Sequence, residues 1–335
     1  MIIRPNYLLP PDKEKELKRA MVLEWLTIVF MSSIVVVMYV SMGTSQAMKA
    51  ALIEDIISLI PPVVFLIAVR VRSREPDAAH PYGYSKATLL AFLCAAVAIL
   101  MLGFFVLYEA ASTLITQQHP TLGHFYLFGQ WEIWSGWIMI GALIYSVIPP
   151  LILGRKKLPL ADSLHESTLY ADAAMNRADW LTAGAAILGV IGIGFGFWWA
   201  DAVAAGIIGL DVIRDGVGNT RRAISDLMDH RPAAVATGEP IGLESSIAEA
   251  LRNRSDIEQI SVRLREEGHS MSGELFIVFS HYDDLPARIQ DIIACALAVD
   301  WRLHDLVVMP VATLPVSYIE AGTGSPTPQR GSHVL

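Results

Sequence analysis

The segment Asp172-Ala-Ala-Met-Asn-Arg-Ala-Asp179 places two carboxylates, a primary amide and a guanidinium at the head of an apolar run that extends to Trp199. Ionised side chains are expensive in a bilayer, so where they occur they mark a pathway or pair with one another. Asp172, Met175 or Asn176, and Asp179 are spaced by three, four and seven positions. On a helix such positions form one stripe. A second polar interruption, Glu54-Asp55 with Ser58 a turn further on, lies inside another apolar stretch. Carboxylates on two apolar helices suggest an ion path through a helical membrane protein.

The elements that must carry these groups follow from composition. Of 335 residues, 53% are hydrophobic and only 17% charged, and mean hydropathy is +0.46. This balance suits a membrane protein better than a soluble globular one. The apolar character is concentrated before residue 215. A net charge of −8, with no basic patch outside the loops, argues against nucleic-acid binding. Two cysteines, Cys94 and Cys295, imply no disulfide framework. Six segments meet the length of about 20 apolar residues that a bilayer core requires: 21–40, 47–70, 87–116, 132–153, 169–196 and 198–215. Lys and Arg alternate around them. The arm 1–20 and the loops holding Arg70, Arg72, Arg74 and Lys86, then Arg155, Lys156 and Lys157, then Arg214, Arg221 and Arg222, are basic; the opposite loops carry only Lys49. The positive-inside rule then puts both termini in the cytoplasm. Pro61-Pro62 and Pro149-Pro150 interrupt the second and fourth spans, either as packing kinks or, for the first pair, as an opening just past Glu54 and Ser58.

Residues 240–318 read as a soluble α/β domain. A helix over 240–254 precedes strands over 257–265 and 273–280, a helix over 286–299 and a strand over 306–311. This αββαβ order gives a helix-covered sheet of a size that often dimerises. Residues 319–335 have the composition of a disordered tail. No Ser/His/Asp cluster, phosphate loop or Cys/His zinc motif occurs in the soluble part, which leaves enzymatic chemistry without machinery.

Four stretches resemble the cation diffusion facilitator family: His80-Pro-Tyr-Gly-Tyr-Ser-Lys86-Ala, Ala171-Asp-Ala-Ala-Met-Asn-Arg-Ala-Asp179, Trp199-Ala-Asp-Ala-Val-Ala-Ala and Ser225-Asp-Leu-Met-Asp-His-Arg-Pro232. The resemblance runs over about 20–310. It implies an all-α polytopic domain of six transmembrane helices over 21–230, followed by a cytoplasmic, ferredoxin-like α/β domain over 238–318 through which the chain forms a homodimer. It also implies an exporter of divalent metal cations in the cell (inner) membrane, with lipid around it and no permanently bound cofactor. The cation is the substrate and protons are exchanged for it. Such a site uses two helix pairs at i, i+4, because residues one turn apart project from one face and two facing helices surround one ion.

Carried over residue by residue, that site falls on Glu54 and Ser58 in the second span and Met175 and Asp179 in the fifth, with Asp55 and Asp172 as oxygen-bearing neighbours. Three of the four positions depart from the family's aspartate and histidine pattern; Asp179 keeps it, and Thr88 stands where a glutamate is usual. Two hard carboxylates without an imidazole suit Mn²⁺ or Fe²⁺ better than Zn²⁺, whereas a thioether suits Cu(I). Two functions stay open: a transporter of a transition metal such as Zn, Mn, Fe or Co by alternating access, or a non-transporting scaffold, heterodimer partner or metal sensor.

Overall fold

The structure, a computed structural model, describes residues 7–41, 52–53, 55–117, 124–127, 131–194 and 197–314. Glu54 and the stretch 319–335 lie outside the described residues. The chain divides into two compact units, residues 1–228 with 235–238, and residues 229–234 with 239–335.

The first unit is helical. Its helices are α1 (Pro11–Ser41), α2 (Ile60–Arg72), α3 (Ala87–Thr116), α4 (Ser135–Leu164), α5 (Ser167–Gly194) and α6 (Ala200–Leu227). A two-stranded antiparallel hairpin, β1 (His124–Leu127) with β2 (Trp131–Trp134), precedes α4. Helices α1 and α3 are long and apolar enough to cross a membrane. Polarity in this unit runs from inside to outside. Val22, Trp25, Val29, Phe104, Tyr108 and Leu210 are exposed, while Glu24, Asp55, Lys157, Asp172 and Asp179 are buried. A soluble core excludes such groups unless they are paired, and places apolar side chains inward.

Helix α1 shows how the sequence achieves this. Its buried stripe is Leu17, Ala20, Glu24, Thr27, Met31, Ile34 and Met38, at alternating steps of three and four. That spacing keeps one face inward along the whole helix, and Glu24 and Thr27 occupy it together with methionines. Helix α1 also begins ten residues before the span read from hydropathy. Lys13 pairs with Glu16 at 3.1 Å and Lys18 with Glu14 at 2.6 Å, at the helical spacings i+3 and i+4. The charged arm therefore continues the helix rather than preceding it.

The prolines behave differently from one another. Residues 55–57 are helical, Ser58 and Leu59 form a turn, and Pro61 and Pro62 sit in the first turn of α2. There a missing amide donor does no harm. Pro149 and Pro150, expected to interrupt the fourth span, lie inside α4, which runs on without a break. With Pro159 further on, three donors are missing from this 30-residue helix, and it still runs from Ser135 to Leu164. That span is also corrected at its start: Trp131–Trp134 is strand, and the helix begins at Ser135. Two tryptophans and an isoleucine in four residues are strand formers.

In the second unit, α7 (Leu243–Leu251), β3 (Ile257–Glu267), β4 (Ser270–Phe279), α8 (Leu285–Leu297) and β5 (Leu303–Pro310) follow in the order αββαβ. The sheet order is β3-β4-β5, with β3 antiparallel and β5 parallel to β4. Leu275, Ile277, Leu306 and Val308 on the sheet pack against Ile247, Leu251, Ile292 and Ala296 on the helices. A parallel β4–β5 pair needs a crossover, which α8 supplies.

Candidate functional site

Three helical turns of α5 carry the groups that opened the sequence reading, and the structure sends them in different directions. Asp179 accepts a hydrogen bond on Oδ1 from Ser58 Oγ at 2.6 Å. Its Oδ2 is buried and has no hydrogen-bond partner among the described residues. Asp55 is 8% exposed, lies within electrostatic range of Asp179, and likewise has a buried Oδ2 without a hydrogen bond. The turn at Ser58–Leu59 and the prolines after it end the short helix that carries Asp55, so Ser58 and Asp55 both face α5. Two buried carboxylates with unused oxygens are unfavourable unless a cation or protons compensate them.

Asp172, two turns earlier, is engaged elsewhere. Lys157 Nζ donates to Asp172 Oδ2 and, at 2.9 Å, to Glu24 Oε2; Lys157 and Glu24 are both completely buried. Asn176 Nδ2 donates to Asp172 Oδ2 and to the Asp172 carbonyl, both at 3.0 Å. Met175 belongs to an apolar cluster with Phe92, Ile99, Leu102 and Val212. Arg177 leaves the stripe and donates to Asp215 at 3.0 Å, with Asp211 at 3.9 Å. Arg72, half-buried, pairs with the buried Glu166.

The structure therefore hydrogen-bonds Ser58 to Asp179 and puts both Asp55 and Asp172 within electrostatic range of it, with Asp172 Oδ2 engaged by Lys157 and Met175 packed in the apolar cluster. Among the described residues no group of three His, Cys, Asp or Glu is arranged to hold a metal. Glu54, adjacent to Asp55 and the remaining candidate, lies outside the described residues. A surface groove of about 690 Å³ is lined by Arg155, Arg177, Arg214 and Arg222 together with Asp215.

Sequence reasoning missed Lys157 and Glu24. Lys157 reads as the last residue of a basic loop, but α4 continues through it to Leu164 and buries it. The alternating three-four stripe of α1 would have exposed Glu24, since a carboxylate among Ala20, Thr27 and Met31 on one face requires a partner.

The loop between α2 and α3 holds the motif His80 to Lys86. Asp77 organises it, accepting from the amides of Ala79 (2.8 Å) and His80 (2.7 Å) and from the Tyr84 hydroxyl (2.7 Å). The Tyr84 bond, then the amides, hold the Asp77 carboxyl down at about 2, and the same bond to Asp77 pushes the Tyr84 phenol up.

Comparison with known proteins places the sequence in a lineage. The family model of the cation efflux transmembrane domain covers residues 22–228. Similar proteins include the manganese efflux system protein MneS of Bacillus subtilis, 27% identical over 166 residues that make up 50% of this chain and 53% of the relative. The magnetosome protein MamB of Magnetospira is 23% identical over 185 residues, 54% of this chain and 59% of MamB. The cation-efflux pump FieF of Shewanella oneidensis is 23% identical over 188 residues, 55% of this chain and 58% of the pump. The chain thus spans about half the length of the curated relatives it matches. With the match extending from α1 through α6, the chain belongs to the cation efflux family.

Proposed function

We propose that this chain exports a divalent transition-metal cation across a membrane by alternating access, taking up protons in exchange. The observation that carries the reading is the Asp55–Asp179 pair, two buried carboxylates whose Oδ2 atoms have no hydrogen bond among the described residues. One divalent ion compensates both charges. Protons reaching the same oxygens from the far side release it, because metal and proton compete for one set of ligands.

In this reading all six helices cross the bilayer, the second with the short helix before it, and the soluble unit mediates a homodimer. The donors are Asp55 and Asp179, with Glu54 from the adjacent position and the Ser58 hydroxyl. Met175 contributes packing. Oxygen donors without imidazole or thiolate favour Mn²⁺ or Fe²⁺ over Zn²⁺. The name of the manganese efflux relative points the same way.

The test is uptake of Mn²⁺, Fe²⁺, Co²⁺ and Zn²⁺ into proteoliposomes carrying a proton gradient. Wild type is expected to move Mn²⁺ or Fe²⁺ fastest. Asp179→Asn and Asp55→Asn are each expected to lose at least about tenfold in rate, as removing one charged ligand costs more than 1.4 kcal/mol. A folded wild type that moves none of the four metals under either gradient direction overturns the reading and leaves a family-like scaffold.

A further inference from the structure

Two turns along α5 from Asp179, roughly 10 Å of helix rise, the chain has assembled a second set of cation ligands. Glu24 from α1 and Asp172 from α5 converge on one point, with Asn176 a turn beyond Asp172 holding its Oδ2 in place. Both carboxylates are at most 1% exposed, and Glu24 Oε1 has no hydrogen bond among the described residues. Three charged side chains from three helices are needed to build this arrangement, at separations of 15 and 133 residues along the chain. Their formal charges sum to a single negative one.

The centre of this cluster is occupied by the Lys157 ammonium. An ammonium and a metal cation ask for the same thing, several oxygens around one positive charge, but the ammonium is tethered and cannot leave. A buried lysine is costly without such partners, so its burial reports how closely the carboxylates fit a cation. Lys157 also lies within electrostatic range of Asp179.

We infer that Glu24, Asp172 and Asn176 form a second cation pocket, closed to divalent ions because the chain's own Lys157 ammonium fills it. The inference rests on the Asp55–Asp179 site proposed above. Its consequence is one exchangeable ion per chain, although Glu24 and Asp172 form a buried carboxylate pair besides Asp55 and Asp179. Asp172 is then a partner of Lys157 and not a ligand of the transported ion.

Bound Mn²⁺ per chain, measured on the full chain in detergent by metal analysis and by titration calorimetry, tests this directly. Wild type is expected to hold about one Mn²⁺. Lys157→Met keeps the stem and removes the charge, and is expected to raise the number to about two. Lys157→Met with Asp172→Asn returns it to one, and Lys157→Arg leaves it at one. A change in stability alone moves melting temperature but not ion number. A folded Lys157→Met that still holds one ion overturns the inference.

Should Lys157→Met not fold, Asp172→Asn decides, since it leaves Lys157 balanced by Glu24. Unchanged Mn²⁺ binding supports the inference; loss of the ion makes Asp172 a ligand and overturns it. Wild type that binds no Mn²⁺ defeats the Asp55–Asp179 reading itself, whereas an ion lost in Asp179→Asn but kept in Asp172→Asn upholds both.

Discussion

At the scale of single residues, carboxylates in this chain are handled in three ways. Asp179 and Asp55 are buried with oxygens left unused, Asp172 and Glu24 are buried against a lysine, and Asp77 is held in the open by two amides and a phenol. The last has a definite pH signature. Its folded value of about 2 lies below the ordinary 3.8. The contribution of the ionised form to the loop is therefore complete above the ordinary value and is lost as pH falls towards the folded one. Tyr84→Phe removes the largest cause and is expected to move the Asp77 midpoint upwards, by something under the full shift because the amides remain. Carboxyl carbon NMR of aspartate-labelled protein between pH 5 and 2 reads this; an unchanged midpoint in the variant refutes the Tyr84 assignment. The candidate site was only partly legible in sequence for a related reason. The spacing of Asp172 and Asp179 announces one stripe, but which partner each stripe member meets depends on helices that are remote along the chain. Ser58 lies 121 residues from Asp179, and Lys157 lies 133 from Glu24. The family resemblance put Glu54 at the site with Asp55 as its neighbour; Asp55 lies within electrostatic range of Asp179, and Glu54 lies outside the described residues.

At the scale of elements, the order of the long helices and of the αββαβ unit was legible because apolar length and the two-residue alternation are local properties, whereas the β1–β2 hairpin was not anticipated. The ends were not. Helix α1 extends into a charged arm, α6 runs to Leu227, and β2 occupies the start of an expected span. Hydropathy registers where a bilayer stops, not where backbone hydrogen bonding stops. Close packing of α3 on α6 is a second element-level property, and it depends on two glycines. A Cβ at Gly216 would lie 2.7 Å from Leu100 Cα and 2.8 Å from its nitrogen, and one at Gly103 would lie 2.8 Å from the nitrogen of Ile213. Backbone cannot yield as a side chain can, so the helices would have to separate. Small residues at such crossings let membrane helices approach. Gly216→Ala is expected to destabilise by about 1–3 kcal/mol through overpacking. Gly218→Ala, on the same helix with nothing within 4 Å of its Cβ, is expected to be neutral or to stabilise by about 0.5–1 kcal/mol through helix propensity. Thermal melts of the two variants in one detergent compare them; equal midpoints refute the close-contact argument.

At the scale of the whole molecule, the polarity of the helical unit argues for its surroundings. Helix α3 exposes Leu90, Met101, Phe104 and Tyr108, and α4 exposes Ile144, Ile148 and Ile152. Water would penalise that surface at about 25 cal/mol for each Å², while hydrocarbon does not. The buried interior meanwhile holds the ion pairs. An apolar exterior on every long helix is consistent with each of the six lying across the bilayer, including those whose interiors are too charged to stand out by hydropathy. Charge distribution then sets an expected direction. Arg70, Arg72, Arg74 and Lys86 flank the α2–α3 connection, Arg155 and Lys156 lie near the end of α4, and Arg221 and Arg222 lie near the end of α6. The hairpin of β1 and β2 falls on the other side of this pattern. The expectation is that both termini are cytoplasmic and that the hairpin is outside. A fluorescent protein fused at either terminus should fluoresce, and alkaline phosphatase inserted between Leu127 and Trp131 should be active in a bacterial host. The same phosphatase placed after Val311 should be inactive. Termini on opposite sides would require an odd number of crossings. A split result would therefore remove the six-span reading.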